Sequence, residues 1–474
     1  MAESSKAADL STRREFLRTG LATVTAAGLG PALAAAAAAG TPRTKRALPN
    51  IILAMTDDQG WGDVGYNGNA DIRTPTLDEM ASKGLRFSRF YAAAPVCSPT
   101  RASCMTGRHP NRSGVFSWGY DLPLEEMTLA EALKPAGYAT GHFGKWHLGG
   151  ITEPPSKKGR TNRGKRQFAR PPHPGNQGFD EWFSYFNFFD LNPGYFYHNG
   201  EAVGPLQGDG SDITVERAVA WIRKMVAAKR PFFAVVWFGN PHGPHRALEK
   251  DKAPYKHLSE KLQNYNGEIT GVDRGMATLR KALKQLGVQQ NTMLWFTSDN
   301  GGAGPANNGG LRGKKGSLWE GGIRVPGILE WPARVTKPRT TDVPASTSDY
   351  YPTILDLVGV EVPNQVRPID GASLAALIDG KMTERPSPIA FEVRGSKTAV
   401  RSAALVDNRY KLHTSGGGKG KAGGAALYDL IDDPAETKDI ASAKPDVVAR
   451  MKAQLEAWQK SVERSLAGED YRRA

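Results

Sequence analysis

Short apolar runs alternate with amphipathic segments along most of this 474-residue chain. Between the runs, apolar positions recur at helical spacing, which predicts helices at 77–84, 125–137, 212–228 and 262–286. Four runs are rich in branched and aromatic residues and end at Pro, Gly or polar positions, as buried strands do: NIILAM (50–55), YATGHF (138–143), PFFAVVWF (231–238) and TMLWFT (292–297). This alternation predicts an α/β fold with a large, mainly parallel or mixed sheet between helices.

The pattern changes beyond about residue 370. Four short runs, IAFEVRG, AALVDN, YKLHTS and ALYDL, are separated by turns and by a glycine-rich loop, and a last helix is predicted at 443–461. Such spacing is typical of an antiparallel sheet. We therefore divide the chain into a large α/β domain at 48–370 and a smaller C-terminal α+β subdomain at 371–474.

The first 40 residues have the pattern of a twin-arginine export signal. Arg13 and Arg14 precede an apolar stretch rich in alanine at 21–39. A first transmembrane helix is the alternative, which the weak hydrophobicity of this stretch disfavours. We expect recognition by the twin-arginine translocon, a periplasmic or secreted location, and no stable membrane insertion.

The formal net charge of +14 favours an anionic partner. Residues 157–170 (KKGRTNRGKRQFAR) contain basic but no acidic side chains, and a solvated loop without a partner is an equal alternative for them. For an exported protein we expect no nucleic-acid partner. The aromatic stretch at 182–197 can stack on sugar rings or form core, and we favour core.

Acidic and amide side chains follow the first and fourth predicted strands. They are Asp57 and Asp58 after NIILAM, and Asp299 and Asn300 after TMLWFT. One aspartate pair alone favours a turn or a helix cap. Ligands of open α/β sheets bind at the carboxyl ends of strands. Two such groups at strand ends therefore indicate a metal site, with hard oxygen donors that suit calcium or magnesium.

Basic side chains follow the other two predicted strands. Lys145 and His147 follow the second, and His242 and His245 follow the third. A lone histidine is more often structural, but a cluster of these groups over a metal would bind a tetrahedral oxyanion and transfer protons. The glycine-flanked loop that contains Lys315 is by itself a weak signal for phosphate or sulfate binding.

Both cysteines of the chain, Cys97 and Cys104, lie in one window, at a spacing that disfavours a disulfide between them. The segment Cys97-Ser98-Pro99-Thr100-Arg101 resembles the signature of the type I sulfatases of the alkaline-phosphatase superfamily. Further blocks follow the family's order: TDDQGWGDVG, GYATGHFGKWHLG, SDNGG, KGSLWEGGIRVP and LYDLIDDPAE. The resemblance extends from about residue 48 to 461.

This resemblance implies that a separate maturation enzyme oxidises Cys97 to Cα-formylglycine. It implies a calcium ion, with magnesium as the alternative, held by Asp57, Asp58, Asp299, Asn300 and the modified Cys97. The catalytic counterparts are Arg101, which holds the formylglycine, Lys145 and His147, which contact its hydrate and the sulfate, and His242 and Lys315 at the sulfate. Cys104 occupies a position that is commonly apolar in the family, so we expect it in the core.

The main hypothesis is therefore an exported sulfuric ester hydrolase that acts on a sulfated small molecule or, more specifically, a sulfated carbohydrate. One alternative is a phosphodiesterase or phosphonate-ester hydrolase of the same superfamily. Another is a catalytically inactive protein that binds sulfated glycans.

Overall fold

The computed structural model describes residues 47–151, 171–187, 191–415 and 424–472. The export signal at 1–40 and the basic segment at 157–170 lie outside these residues. The described strands are β1 (Asn50–Thr56), β2 (Leu85–Phe87), β3 (Phe90–Tyr91), β4 (Ala139–Lys145), β5 (Glu181–Tyr185), β6 (Tyr197–His198), β7 (Glu201–Ala202), β8 (Phe232–Trp237), β9 (Thr292–Ser298), β10 (Arg324–Val325), β11 (Gly327–Glu330), β12 (Arg339–Thr341), β13 (Ala345–Ser346), β14 (Ile389–Ser396), β15 (Ala399–Asp407), β16 (Tyr410–Ser415) and β17 (Ala425–Asp429). The described helices are α1 (Pro75–Lys83), α2 (Cys97–Thr106), α3 (Leu129–Leu133), α4 (Gly210–Ala227), α5 (Glu249–Lys252), α6 (Glu260–Gln285), α7 (Glu320–Ile323), α8 (Tyr350–Val358), α9 (Ala375–Ile378) and α10 (Pro445–Leu466).

The main sheet has ten strands in the order β12-β2-β11-β9-β1-β8-β4-β5-β6-β7. Its central strands β9, β1, β8, β4 and β5 are parallel, and antiparallel pairs flank them on both sides. The four predicted apolar runs are β1, β4, β8 and β9. The predicted α/β class with a mixed sheet is confirmed.

Both faces of the central strands are buried, as β1 shows. Ile51, Leu53 and Met55 belong to one hydrophobic cluster, together with residues of α2, α3 and α8. Ile52 and Ala54 belong to another, with residues of α1, α4 and α6. Because alternate side chains of a strand point to opposite faces, the sheet lies between two layers of helices. The faces of these strands are therefore covered, and the loops at the strand ends are the expected place for a ligand.

Three of the predicted helices correspond to α1, α4 and α6, but the one at 125–137 is shorter than predicted. Helix α3 begins at Leu129, because Thr128 caps it: Thr128 Oγ1 accepts from the backbone N–H of Glu131, and the Glu131 carboxylate accepts from that of Thr128. The helix passes into a 3-10 turn at Lys134–Ala136, which contains Pro135. The predicted helix at 125–137 was too long because it included the turns before and after α3.

Most aromatic rings of the 182–197 stretch lie in the core, as expected. Trp182, Phe183, Tyr185 and Phe196 are all buried. Residues 188–190 of this stretch lie outside the described residues. The buried rings are unavailable for stacking on a sugar.

Strands β14 to β17 form a four-stranded antiparallel sheet, as predicted for the C-terminal region. One face packs on α10, where Leu412 contacts the cluster that contains Met451. The other face carries Phe391, which clusters with Leu318 and Ile323 from the segment around α7. Residues Leu48–Ala474 form one compact unit. In the described part of the chain, no helix combines the length and apolarity needed to cross a membrane.

Candidate active site

Four neighbouring parallel strands carry the predicted site residues to one edge of the main sheet. The strands lie in the order β9-β1-β8-β4, and the last residue of β1 pairs in register with the last residue of β9. The residues at this edge are Asp57 and Asp58 after β1, Asp299 and Asn300 after β9, His242 after β8, and Lys145 and His147 at the end of β4. The structure therefore brings these side chains together.

Asp57 is fully buried and surrounded by positive charge. Its Oδ2 accepts a hydrogen bond from Lys145 Nζ and lies 3.8 Å from Arg101 Nη2. Burial raises the pKa of Asp57, but the charges of Lys145, His242 and Arg101 outweigh burial and hold the pKa below its usual value. Asp57 is therefore a carboxylate at neutral pH.

Asp58 connects the metal-ligand candidates to the candidate sulfate-binding groups. Its Oδ1 accepts from Asn300 Nδ2 at 2.8 Å and lies 2.5 Å from Lys315 Nζ. Its Oδ2 lies 3.6 Å from His242 Nε2. The side chains of Lys315 and His242 are each about one-fifth exposed. A ligand that approaches from solvent thus meets these two groups above buried Asp58.

Arg101 and Asp299 form a buried ion pair at the base of the site. Arg101 Nε and Nη2 donate to Asp299 Oδ2 at 3.1 and 2.7 Å, and Nη1 donates to the Lys145 carbonyl at 3.3 Å. The guanidinium carbon lies 5.0 Å from the ring centroid of Trp237. This planar group is held by hydrogen bonds at its edges and by an aromatic ring on its face.

Cys97 is the first residue of α2 and is 2% exposed. Burial raises the pKa of its thiol to about 12, despite the nearby charge of Lys145. Because the thiolate is the reactive form, this environment disfavours an unmodified cysteine nucleophile. Both cysteines are free, and Cys104 lies in the hydrophobic core, as expected.

His147 is buried beside Lys145 with a neutral ring. Its backbone has a φ of 54°, and its ring packs edge-to-face on Phe186 at 4.9 Å between centroids. Burial, followed by the charges of Lys145 and Arg101, holds its pKa well below the usual value. Neither ring nitrogen has a hydrogen-bond partner among the described residues. The ring nitrogens can therefore hydrogen-bond a bound group, and a bound anion that offsets the charges of Lys145 and Arg101 would make the ring a better proton acceptor.

The oxygen atoms around Asp57 fit a hard cation. Asp57 Oδ1 and Asn300 Oδ1 are buried, and neither has a hydrogen-bond partner within the described parts of the chain. Donor atoms of Asp57, Asp58 and Cys97 lie within 4.8 Å of one another. Buried oxygens without partners are costly unless an ion or water satisfies them, and carboxylate and amide oxygens suit calcium or magnesium.

Sequence reasoning missed a buried charged cluster at the start of α7, the helix that follows the loop containing Lys315. Lys411 Nζ of β16 lies 3.1 Å from a Glu320 oxygen and 2.9 Å from a Glu436 oxygen, and all three side chains are buried. The backbone N–H of Glu320 donates to the Glu436 carboxylate at 2.6 Å. These residues are far apart in sequence. In the sequence, only Glu320 lies in one of the blocks that resemble the sulfatase family in this region, KGSLWEGGIRVP.

Comparisons with known proteins agree with this geometry. The Sulfatase family model matches residues 49–360, and the model for the C-terminal region of N-sulphoglucosamine sulphohydrolase matches residues 313–461. The N-acetylgalactosamine-6-sulfatase of Canis lupus familiaris is 33% identical over 431 residues, which cover 83% of this chain and 74% of the relative.

Two further matches come from a bacterial protein and a solved structure. The ulvan-active sulfatase of Formosa agariphila is 32% identical over 351 residues, which cover 70% of this chain and 65% of the relative. The crystal structure of Ps i-CgsB in complex with k-i-k-neocarrahexaose matches with a TM-score of 0.75 and 30% identity, over 87% of this chain and 92% of that one. Sequence motif, site geometry and relatives thus agree that the chain belongs to the type I sulfatases of the alkaline-phosphatase superfamily, which are sulfuric ester hydrolases.

Proposed function

We propose that this sulfatase hydrolyses sulfate esters of carbohydrates after Cys97 has been oxidised to formylglycine. The observation that supports it most strongly is the buried position of Cys97 at the start of α2, with its sulfur within 4.8 Å of Asp57 and Asp58 oxygens. Burial there raises the pKa of the thiol and disfavours the thiolate. The names of the relatives support the substrate class, because they refer to N-acetylgalactosamine 6-sulfate, ulvan and a neocarrahexaose.

We assign calcium to Asp57, Asp58, Asp299, Asn300 and the modified Cys97, with magnesium as the alternative. The unpaired buried oxygens of Asp57 and Asn300 support this assignment. When bound, the ion supplies positive charge and the formylglycine hydrate supplies the nucleophilic oxygen.

The chain's own residues then bind the sulfate and move protons. Lys145 and Lys315 offset negative charge on the sulfuryl oxygens, and Arg101 orients residue 97. His242 and Lys315 are the candidates to protonate the leaving alcohol, since both reach the solvent-facing side of Asp58. Neutral His147 accepts the proton whose loss from residue 97 releases the sulfate.

The modification is tested on residue 97 itself. Mass spectrometry of the tryptic peptide 90–101 should show the lower mass of an aldehyde in place of a thiol. Cys97→Ala should abolish hydrolysis of an aryl sulfate, whereas Cys104→Ala should keep it. An active preparation with unmodified Cys97 contradicts the proposal. Faster cleavage of a matched aryl phosphodiester than of the aryl sulfate would favour the phosphodiesterase alternative.

We also propose export through the twin-arginine translocon to the periplasm or the medium, after the maturation enzyme has acted. The support is the Arg13-Arg14 pattern. Changing both arginines to lysine should leave the precursor in the cytoplasmic fraction, and unchanged export would contradict the proposal.

A further inference from the structure

Two exposed aromatic side chains lie on a loop that follows α2. Trp118 is 60% exposed and Tyr120 is 43% exposed, and with Leu124 they are three of the four large apolar side chains exposed in the described residues. Clustered exposed apolar groups commonly mark a binding surface. Residues 116–121 are referred to below as the aromatic loop.

The aromatic loop is attached directly beside the reacting residue. Gly119, which separates the two exposed rings, donates its backbone N–H to Ser98 Oγ at 3.0 Å. Ser98 follows Cys97 in the first turn of α2. The loop therefore lies at the candidate active site.

Gly119 also lies near the ring that packs on His147. Gly119 has a φ of 78°, and a Cβ on it would lie 3.8 Å from Phe186 Cζ. Phe186 in turn packs edge-to-face on His147. Gly119 is thus hydrogen-bonded to the residue after Cys97 and lies close to the ring beside His147.

Further contacts lie within the loop and directly after it. The Leu122 N–H donates to the Leu148 carbonyl at 3.0 Å. The rings of Phe116 and Tyr120 pack edge-to-face at 5.9 Å between centroids. A surface fixed in this way binds without a large ordering cost.

We propose that Trp118 and Tyr120 form a stacking platform for a sugar ring of the substrate. This inference rests on the proposed function and identifies the surface that selects a saccharide. A pyranose has an apolar C–H face and a polar rim, and indole and phenol rings match it because they too are apolar bodies with a polar edge. Among the described residues, Trp118 and Tyr120 are the exposed large aromatic side chains, whereas Trp182, Phe183, Tyr185 and Phe196 are buried.

The test compares a saccharide ligand with inorganic sulfate, which has no ring. Substrates are an oligosaccharide of chondroitin 6-sulfate and one of ι-carrageenan, and variants are Trp118→Ala, Tyr120→Ala and the double variant. KM for the hydrolysed oligosaccharide should rise about tenfold or more in the double variant, with kcat nearly unchanged. The inhibition constant of inorganic sulfate should stay the same. Trp118→Phe should retain most of the affinity, and Ile431→Ala, an exposed apolar control, should behave as wild type.

An unchanged KM, or an equal loss of sulfate inhibition, overturns the platform. So does a wild-type enzyme that hydrolyses an aryl sulfate but neither oligosaccharide. A wild-type enzyme inactive on every sulfate ester overturns the proposed function itself. If the exposed rings instead bind a protein, saccharide KM will not respond to their removal, which also counts against the platform.

Discussion

At the residue scale, Arg101 connects most of the chemical groups at the base of the site. Its guanidinium donates hydrogen bonds to Asp299 through two nitrogens and to the Lys145 carbonyl through the third. Its face also lies over the Trp237 ring. No side chain of another shape can make these contacts at once. The arginine is therefore specified by geometry as well as by charge.

Arg101→Lys should lower kcat by about 100-fold, which is typical for loss of an oriented donor in an active site. A lysine ammonium keeps the charge but cannot hold Asp299 through two nitrogens and reach the Lys145 carbonyl. Steady-state kinetics with an aryl sulfate measures the effect, and circular dichroism checks the fold. Arg450→Lys, at an exposed pair with Asp407, is the matched control and should retain full activity. A wild-type kcat for Arg101→Lys would show that catalysis does not need the hydrogen bonds of the guanidinium to Asp299 and to the Lys145 carbonyl.

At the element scale, the sequence pattern predicted four of the five central strands, β1, β4, β8 and β9, because their residues are branched or aromatic and buried on both faces. The aspartates and histidines could be placed at one edge because parallel strands end there together. Strands such as β3, β10 and β13 have two residues each and are too short for periodicity. The exposure of Trp118 was also invisible, since an aromatic residue in a loop is equally compatible with burial.

Helix α10 meets the segment after α2 at His109. The His109 ring packs edge-to-face on Trp458 at 4.8 Å, and its Nδ1 accepts from the Asn111 backbone N–H at 3.3 Å. Burial lowers the pKa of His109 to about 3, despite the opposing charge of Asp370. The ring is therefore neutral in the folded protein over the whole physiological range.

This histidine should make the protein less stable in acid. Between its ordinary pKa of 6.5 and about 3, the unfolded chain binds a proton at His109 that the folded chain does not. The free energy of unfolding therefore falls as the pH falls, by up to about 1.4 kcal/mol per pH unit from this group. In His109→Asn, urea unfolding at pH 7, 5.5 and 4.5 should show a correspondingly shallower decline. Equal slopes in both proteins would contradict the assignment. The difference between the two proteins at pH 7 gives the loss of stability that the substitution causes independently of protonation.

At the scale of the whole molecule, the C-terminal sheet holds the start of α7 through buried charges. Lys411 lies between Glu320, which begins α7, and Glu436. Tyr91 of β3 donates to the second Glu320 oxygen at 3.0 Å. Lys315 lies in the loop just before α7 and donates its backbone N–H to Gly302. Pairings over such sequence separations leave no local pattern, and only the resemblance to a family indicated that the C-terminal region belongs with the site.

Lys411→Met should destabilise the protein by about 3 kcal/mol or more, because two buried carboxylates lose their cation. It should also lower kcat/KM if a shift at the start of α7 moves Lys315, which lies five residues earlier in the chain. Urea unfolding and aryl sulfate kinetics measure the two effects. Lys452→Met, at an exposed pair with Glu456, is the control and should change neither.

A double-mutant cycle with Lys315→Ala separates anchoring from a general loss of stability. If Lys411 acts through Lys315, the two substitutions together should lower kcat/KM by much less than the product of their separate effects, because Lys315→Ala already removes the group that Lys411 positions. Kinetics are measured at a temperature where every variant is folded. Adding Glu436→Gln to Lys411→Met should recover part of the stability, because it removes the buried charge that Lys411 neutralised, whereas Glu320 still has Arg324 Nη1 3.6 Å away. Activity should stay low. Fully multiplicative effects would instead mean that Lys411 stabilises the fold without positioning Lys315.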